Sequence, residues 1–446
     1  MGSVSDACGA NNSVQAPPTD QAQRGSVVSD EILLVRAFLS RVAEPAGIPI
    51  WAMVLRDGPL AAAEQLRAGR VGKRRSEAIA LRAARADPQQ DLEVAQRHGI
   101  RLIVPESDEW PHFAMAALEA AGLRRLARYE QGETEQSERG EPIPPLALWV
   151  RGTAELAAVG TRSVSIVGSR AATEYGNWFA TDLASRLAGR GFDVVSGGAH
   201  GIDSAAHRGA LSVGGQTVLV SAAGLDRPYP PGNDRLFDRV ADSGLLISES
   251  PPGSAPARRR FLTRNRLIAA LGTGTVVVEA AARSGAMNTA GHCTELGRPL
   301  MAVPGPVTST MSVGCHILLR AQQRSATLVT GAADVLELIG SASDLPPPKT
   351  APADGADLSS RLDRLEPVER QVFDGFPARS WIGADGLAAV TGLSPLAVIR
   401  ALPALELSGL VESSSQGHRI AESARTTPGG IGGGSRTRDS ARAPAI

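Results

Sequence analysis

The chain has 446 residues, enough for two or three domains with sizeable hydrophobic cores. Its 46 Lys and Arg residues balance its 46 Asp and Glu residues, so net charge alone gives no reason to expect affinity for nucleic acid. Any anion site must therefore be a local patch. The N-terminal segment lacks the basic stretch and apolar core of a signal peptide, and no run of about 18 apolar residues occurs that could span a membrane. These features predict a cytoplasmic protein.

The N-terminal third is predicted to be mainly helical after a small, polar, disordered tail. Apolar spacing predicts one amphipathic helix over residues 32–42 and another over 59–67. A short strand is predicted at 101–105 and a polar, acidic loop at 129–145. The apolar run 146–150 is predicted to be a strand that leads into the centre of the chain.

The centre, residues 164–339, alternates short apolar runs with helix-like segments. The runs are VSIVG, DVVSG, TVLVSA, GLLISE, TVVVE and PLMAVPG. Continuous apolar strands joined by helices predict an α/β fold with a parallel sheet covered on both faces. Ligands of such sheets bind beyond the carboxyl ends of the strands, so the loops there are expected to form a single rim. These loops are Gly168-Ser169-Arg170 and residues 196–201, 224–227, 248–250, 279–285 and 304–305.

The C-terminal part is predicted to be a separate, smaller unit. Residues 341–362 are rich in Pro, Ala and Asp and predict a linker. The following residues favour a winged-helix unit, with Ser394 as an N-cap before Pro395 and a hairpin after the last helix. Pro403 is predicted to interrupt that last helix, in which only Arg400 is basic. We therefore expect an interaction or regulatory role there rather than reading of a DNA major groove.

Two common nucleotide-binding motifs do not occur. A P-loop requires GxxxxGK[ST], whereas the Gly72-Lys73 pair is followed by Arg74. The turn Gly168-Ser169-Arg170 does not match GxGxxG, and its arginine would keep a pyrophosphate away from the backbone. Neither an ATPase of the P-loop class nor a dinucleotide cofactor is expected, and no cofactor is predicted.

Metal binding is not expected either. His292-Cys293 and Cys315-His316 could supply four ligands on paper. Adjacent residues on a helix point about 100° apart, so these pairs would need unusual coordination geometry. With Cys8, the three cysteines make no CxxC pair and no disulfide framework, as expected in a reducing compartment. We expect Cys293 and Cys315 to be buried as small hydrophobic residues.

Catalysis at the rim is possible through Glu279, which ends the strand TVVVE, and Arg283. A carboxylate and an arginine there could act on a nucleotide sugar, as in Rossmann proteins that cleave nucleoside monophosphates. The PGGxGT loop of those enzymes does not precede Glu279, and pairing with an arginine or capping of a helix is the favoured role of this carboxylate. Four residues that could be combined into a hydrolytic triad are instead expected to cap and pack helices: Ser196, His200, Asp203 and His207.

Phosphate binding without hydrolysis fits the residues better. The segment FLTRNRLIAA places Arg264, Asn265 and Arg266 near the start of an apolar helical run, where the helix dipole favours anions. Guanidinium forks and free N–H groups there could converge on the same phosphate oxygens. Phe261 offers a face for a stacked base, although it could simply anchor the loop. The preceding run, 258–260, is three arginines and could also be a solvated charge run.

Together these motifs resemble the DNA-processing protein DprA (Smf) family. The sequences IVGSR, SGGAHGID, GLDRPYP, FLTRNRLIAAL, VVVEAAARSGAMNTA and AVPG occur in the order and spacing of that family, over residues 146–338. The resemblance implies an extended Rossmann fold, binding of single-stranded DNA, dimerisation through the Rossmann domain, and loading of RecA onto DNA during natural transformation. The chain departs from the family pattern at His200, where arginine is frequent, and at Leu262, where proline is usual.

Carried over by motif, the resemblance implies DNA-backbone contacts at Arg170 and at the Arg264–Arg266 segment, with loops at 196–197 and 284–285 donating N–H groups. No catalytic residue is predicted. The predicted nucleic-acid-binding residues are Gly168, Ser169, Arg170, Ser196, Gly197, Arg258, Arg260, Phe261, Arg264, Asn265, Arg266, Ser284 and Gly285. The predicted division is a disordered tail at 1–30, a helical SAM-like domain at 31–123, an extended Rossmann-like DNA-binding domain at 124–340, a linker at 341–362, a winged-helix domain at 363–420 and a disordered tail at 421–446.

Overall fold

The computed structural model describes residues 28–70, 76–133, 137, 139–322, 326–341, 344, 361–362, 365–378, 380–414 and 416–425. The chain divides into two compact units, one ending at residue 345 and the other beginning at 346. Several predicted features lie outside the described residues: the N-terminal tail up to residue 27 with Cys8, the Gly72-Lys73 pair, most of the linker, and the C-terminal tail after residue 425.

The first unit begins with a group of helices. They are α1 (Asp30–Val42), α2 (Ile48–Arg67), α3 (Ser76–Arg85), α4 (Pro88–Arg97) and α5 (His112–Glu130). The helix predicted over 32–42 is confirmed within α1, which starts where the Ser29 hydroxyl accepts a hydrogen bond from the Ile32 amide. The helix predicted over 59–67 is the second half of α2, because Gly58, with φ 80°, bends that helix.

A sheet of nine strands forms the centre of this unit, in the order β1-β2-β6-β5-β4-β3-β7-β8-β9. The strands are β1 (Ile100–Ile103), β2 (Leu148–Gly152), β3 (Ser163–Val167), β4 (Asp193–Ser196), β5 (Thr217–Ser221), β6 (Leu245–Ser248), β7 (Thr275–Val277), β8 (Leu300–Ala302) and β9 (Thr327–Leu328). Strands β3 to β9 run parallel, whereas β1 and β2 are antiparallel at one edge. The six parallel strands predicted from the apolar runs are confirmed as β3 to β8.

Helices cover both faces of this sheet. They are α6 (Glu174–Ala188), α7 (Ile202–Ser212), α8 (Asp234–Ser243), α9 (Arg258–Leu271), α10 (Gly285–Glu295), α11 (Val313–Leu319) and α12 (Ala332–Ile339). Strand side chains alternate between two buried clusters. Val167 and Val195 pack with residues of α9 and α10, whereas Ile166 and Val194 pack with residues of α6 and α7. Burial on both faces explains why the strands read as continuous apolar runs.

The strand order reverses between β3 and β7. From β3 the chain adds β4, β5 and β6 on one side, and then crosses back to add β7, β8 and β9 on the other. The loops after β3 and β7 meet there, because the Ser169 amide donates a hydrogen bond of 2.7 Å to the Glu279 carbonyl. A crevice beyond the carboxyl ends of the strands at such a reversal is where open α/β sheets bind ligands.

The N-terminal helices share the core of the sheet. Strand β1 pairs antiparallel with β2, and the indole of Trp149 on β2 donates a hydrogen bond of 3.3 Å to Ser40 on α1. Helix α5 continues without a break across the predicted boundary at 123/124. The chain therefore has no structural break at that position, and the division into separate functional domains stays a prediction.

The second unit contains α13 (Pro367–Asp374), α14 (Ala384–Thr391), α15 (Pro395–Leu407), β10 (Val411–Ser414), β11 (Gly417–Ile420) and α16 (Glu422–Arg425). As predicted, Ser394 caps α15, with its hydroxyl accepting from the Ala397 amide at 3.3 Å. The predicted interruption at Pro403 is wrong, because α15 continues through it while Leu402 and Leu405 stay buried in the core of the unit. The helices and hairpin occur in the expected order, and the winged-helix assignment stays a prediction.

Among the described residues, no single helix is both long enough and apolar enough to cross a membrane. Helices α14 and α15 meet that length and composition only as a pair bent by 109°.

Candidate nucleic-acid interface

A cleft of about 730 Å³ opens where the loops after β3 and β7 meet the first turns of α9 and α10. This feature is called the switch-point cleft below. Most of the residues predicted to bind nucleic acid line it: Gly168, Ser169, Arg170, Arg258, Phe261, Arg264, Asn265, Ser284 and Gly285. They come from three separate segments of the chain, and the parallel sheet brings these segments together.

The turn after β3 depends on a glycine. A Cβ atom at Gly168 would lie 2.5 Å from the Ile202 side chain and 2.9 Å from the Glu279 carbonyl oxygen. Any larger residue would push the turn away from α7 and from the loop after β7. The close approach allows the next residues to line the cleft, where the guanidinium carbon of Arg170 lies 5.2 Å from the centre of the Phe261 ring.

Three arginines at the switch-point cleft are exposed and free of carboxylate partners. Within the described part of the chain, no ion pair involves Arg170, Arg258 or Arg283. Buried or paired guanidinium groups are already satisfied, whereas these three keep their donors available for a ligand. The cleft therefore offers a concentration of positive charge on a protein whose formal net charge is zero.

Arg264 supplies a fourth cation at the floor of the cleft. Its Nη1 donates to the Gly197 carbonyl at 2.9 Å and to the Val220 carbonyl, so its position is held by two strand ends. Burial lowers the pKa of Arg264 to about 10, and the nearby Asp203 carboxylate opposes that change. Burial also raises the pKa of Asp203, despite the attraction of Arg264. Arg264 thus remains a cation at neutral pH.

The first turn of α10 forms another part of the lining of the switch-point cleft. Ser284 occupies the N-cap position without making a side-chain capping bond, and its buried hydroxyl has no partner among the described atoms. Ser284, Gly285 and Ala286 line the cleft, so the unsatisfied positive end of this helix faces it. Asn265 holds α10 in place, because its Nδ2 donates to Asn288 Oδ1 at 3.0 Å and to the Gly285 carbonyl at 3.4 Å.

Arg266, which was predicted to contact DNA, does not line the cleft. Its side chain is 0 % exposed, and its two terminal nitrogens each lie 2.7 Å from an oxygen of Glu249. Its Nε donates to the Ile143 carbonyl at 2.9 Å. Two residues along a helix turn the side chain to another face, and there a carboxylate satisfies it.

Three other predicted residues also lie elsewhere. Ser196 is 0 % exposed, and its hydroxyl donates to the Ile166 carbonyl at 2.6 Å. Gly197 uses its carbonyl to hold Arg264 and does not line the cleft. Arg260 lines a different groove, and its Nη1 donates to the Ala255 carbonyl at 3.0 Å. The loop at 196–197 therefore supports the floor of the cleft rather than offering N–H groups at its rim.

Glu279, favoured as the partner of an arginine or as a helix cap, instead holds the residue that caps α6, Thr173. Its carboxylate accepts hydrogen bonds from the Thr173 amide at 2.9 Å and the Thr173 hydroxyl at 2.6 Å, at the start of α6. The residue is 2 % exposed, and a Cβ atom at Gly176 would lie 2.2 Å from its Oε2. Glu279 does not line the cleft, although Arg283 does.

Several residues of the cleft were not predicted to bind nucleic acid, among them Arg283 and Tyr229. The ring centre of Tyr229 lies 5.6 Å from that of Phe261. Tyr229 belongs to the motif GLDRPYP in the loop after β5. The sequence therefore showed the motif, but it did not show that the Tyr229 ring lies in the cleft. The predicted burial of Cys293 and Cys315 is confirmed, since both are 0 % exposed.

The fold and the cleft define a Rossmann-type protein with a cationic cleft at the reversal of strand order. The DNA recombination-mediator protein A family matches residues 132–340. A DNA processing protein DprA of Mycobacterium tuberculosis is 44 % identical over 384 residues, which is 86 % of this chain and 93 % of that protein.

Solved structures are also similar. DprA from Streptococcus pneumoniae superposes with a TM-score of 0.54 at 27 % identity, covering 70 % of this chain and 98 % of the other. DNA processing protein A from Helicobacter pylori, studied for its single-stranded DNA binding mode, has a TM-score of 0.41 at 30 % identity and covers 46 % of this chain and 92 % of the other. The chain belongs to the DNA processing protein A (DprA, Smf) family.

Proposed function

We propose that this chain binds single-stranded DNA in the switch-point cleft, through phosphate contacts and base stacking, without hydrolysing it. The observation that carries the proposal is that Arg170, Arg258 and Arg283 line one cleft together with the N-terminal turn of α10, and that none of the three has a carboxylate partner among the described residues. Planar guanidinium groups and helix N-termini both bind phosphate oxygens well. Relatives of this chain carry the name DNA processing protein, which agrees with this ligand class.

Single strands fit the cleft better than duplexes do. Phe261 and Tyr229 lie among the arginines, and an aromatic face can stack on a base only when that base has left the duplex stack. Phosphate contacts carry no sequence information, so binding is expected to be independent of sequence.

The test is fluorescence anisotropy with labelled single strands at several salt concentrations. The slope of log affinity against log salt is expected to be about −0.7 for each phosphate neutralised. Arg170→Ala should weaken binding to all sequences alike, by about tenfold or more, because a charge-assisted contact is lost. Arg239→Ala is the matched control, since Arg239 is exposed on α8 and does not line the cleft.

Two results would contradict the assignment. Equal affinity of the parent and Arg170→Ala would exclude the cleft as the binding site. A parent protein that binds no oligonucleotide at any salt concentration would remove the proposal altogether.

Family membership also supports a role in recombination during natural transformation, in which the protein protects incoming DNA and loads the RecA recombinase in the cytoplasm. The expected result is faster formation of RecA filaments on strands already coated with a single-strand-binding protein. A filament rate that does not change when this protein is added would remove the loading role and leave the DNA-binding role intact.

A homodimer through the sheet-containing unit is part of the proposal. Apolar side chains are exposed on neighbouring elements of this unit, with Trp178 on α6 at 64 % and Ile317 on α11 at 46 %. The Tyr175 hydroxyl on α6 donates to the Pro304 carbonyl at 2.8 Å, which ties α6 to the loop that precedes α11. Trp178→Glu should convert a dimer to a monomer in sedimentation experiments, and a monomeric parent would contradict the proposal.

The alternative function, cleavage of nucleoside monophosphates by Glu279 and Arg283, has less support. The Glu279 carboxylate is engaged by Thr173 and is 2 % exposed, so it lacks the access that a catalytic carboxylate needs. Incubation with adenosine monophosphate should release no free base. Release of base that disappears in Glu279→Gln would support the enzymatic reading instead.

A further inference from the structure

Two aromatic rings and an arginine form one wall of the switch-point cleft. The ring centres of Tyr229 and Phe261 lie 5.6 Å apart with an angle of 49° between the ring planes. The guanidinium carbon of Arg170 lies 5.2 Å from the centre of the Phe261 ring. The three side chains come from the loops after β5 and β3 and from the first turn of α9, so this cluster is a product of the tertiary fold.

The loop that carries Tyr229 is firmly anchored although the ring itself is accessible. Asn233 is buried, and its Nδ2 donates to the Gly198 carbonyl at 3.1 Å and to the Ser204 hydroxyl at 3.0 Å. The backbone N–H of Asn233 also donates to the Pro230 carbonyl at 3.3 Å. Tyr229 remains 38 % exposed. A ring held in place by its loop loses little conformational freedom when a ligand stacks on it.

Arg170 covers part of the Phe261 ring. A cation over an aromatic face is a modest attraction at an exposed site, and a phosphate offers the same guanidinium a charge-assisted hydrogen bond. Movement of Arg170 from the ring to a phosphate would free ring area for a base. In this exchange, a base takes the place of the Arg170 guanidinium over the Phe261 ring.

We infer that Tyr229 is a second base-stacking residue, which with Phe261 forms an aromatic wall that holds one unpaired base while Arg170 turns to a phosphate. The inference rests on the proposed function and deepens it, because it assigns the selection of single strands to a base-binding step. Phosphate contacts alone would accept single and double strands alike. A base inside a duplex cannot present its face to the aromatic wall.

The test compares ordinary oligonucleotides with abasic strands of the same length, which keep the phosphates and lack the bases. Tyr229→Ala should bind ordinary strands about tenfold more weakly, in line with the loss of one stacked base, and abasic strands as well as the parent does. Tyr229→Phe keeps the ring and should match the parent on both. Arg170→Ala should lose affinity for both kinds of strand.

A strand with 2-aminopurine provides a second measurement. Stacking quenches the fluorescence of this base, so the parent should quench it and Tyr229→Ala should quench it less at saturating protein. Tyr129→Ala is the matched control, since Tyr129 is 36 % exposed on α5 and lies outside the cleft. If Tyr229→Ala does not fold, Tyr229→Leu takes its place, because leucine keeps apolar bulk without an aromatic face.

The outcomes separate this inference from the proposed function. Unchanged affinity of the Tyr229 variant for ordinary strands would overturn the stacking role. An equal loss on ordinary and abasic strands would also overturn it, since Tyr229 would then act only on the shape of the loop. In both cases the parent would still bind single strands, whereas failure of the parent to bind would overturn the proposed function.

Discussion

The two faces of helix α9 place the same type of residue in opposite situations. Arg258 and Arg264 line the switch-point cleft, whereas Arg266, two residues beyond Arg264, is 0 % exposed and paired with Glu249. The difference shows that an arginine near a helix start is available to an anion only if its face of the helix meets an opening. On the other face, a buried guanidinium requires a carboxylate and becomes part of the core.

The buried pair also fixes the position of α9 against its neighbours. Arg266 joins α9 to the end of β6 through Glu249 and to the N-terminal segment through the Ile143 carbonyl. Ser163 and Ser165 on β3 donate to the carbonyls of Leu271 and Ile268 at the end of the same helix, at 2.5 Å and 2.6 Å. With both its middle and its end fixed, the first turn holds Arg258 and Phe261 at the cleft.

The largest effect is expected when the buried Arg266–Glu249 pair is broken. Arg266→Met leaves the Glu249 carboxylate, whose side chain is 12 % exposed, without its partner. The free energy of unfolding should fall by about 3 to 5 kcal/mol, measured by urea unfolding with tryptophan fluorescence. Arg258→Ala is the control and should change stability by less than about 0.5 kcal/mol. A loss below about 1 kcal/mol in Arg266→Met would contradict the structural role of the pair.

The buried histidines His207 and His292 differ from the buried Arg266, because burial keeps them neutral whereas Arg266 stays charged. Burial lowers the pKa of His207 to about 3 and that of His292 to about 4. The unfolded chain binds more protons than the folded one below the ordinary pKa, so stability decreases as pH falls from about 6.5. Each histidine should cost about 2 kcal/mol of stability at pH 5 relative to pH 7.

Urea unfolding at pH 7 and pH 5 measures this loss. His207→Asn removes the titrating group and should reduce the pH-dependent loss by about 2 kcal/mol. His98→Asn is the matched control, because His98 is exposed at the end of α4. An equal pH-dependent loss in the parent and in His207→Asn would contradict the neutral, buried state of His207.

A smaller effect is expected when an exposed arginine of the switch-point cleft is removed. Arg258→Ala removes one exposed cation, so affinity for single strands should fall by about fivefold to tenfold while stability is unchanged. The slope of log affinity against log salt should become shallower by about 0.7. A lower affinity with the parental salt slope would mean that Arg258 does not contact a phosphate.

The smallest effect is expected in the second compact unit. Helix α15 carries Arg400 as its only basic residue, and its exposed residues include Leu396 and Ile399, at 58 % and 54 %. Arg400→Ala should leave the affinity for duplex DNA unchanged within error in a gel-shift experiment. A clear loss would indicate that α15 enters a DNA groove, contrary to the expectation from its composition.

Much of the sheet was determined by local sequence. The apolar runs and the glycines after them predicted all six parallel strands from β3 to β8 and the place of the rim, because burial on both faces demands continuous apolar residues. Gly168 and Arg170 were identified as one turn, and both line the cleft. The family resemblance added single-stranded DNA as the proposed ligand, which periodicity alone does not specify.

Only the tertiary structure decided which arginines are free. Arg264 and Arg266 are indistinguishable by composition and spacing, since both follow the same aromatic residue within two turns of a helix. Their roles differ because Glu249, in the loop after β6, meets one face of α9, while the cleft meets the other. In the same way, the proximity of Tyr229 to Phe261 depends on two loops that are distant in the chain. A residue's charge is set locally, whereas its burial and partner are set by long-range packing.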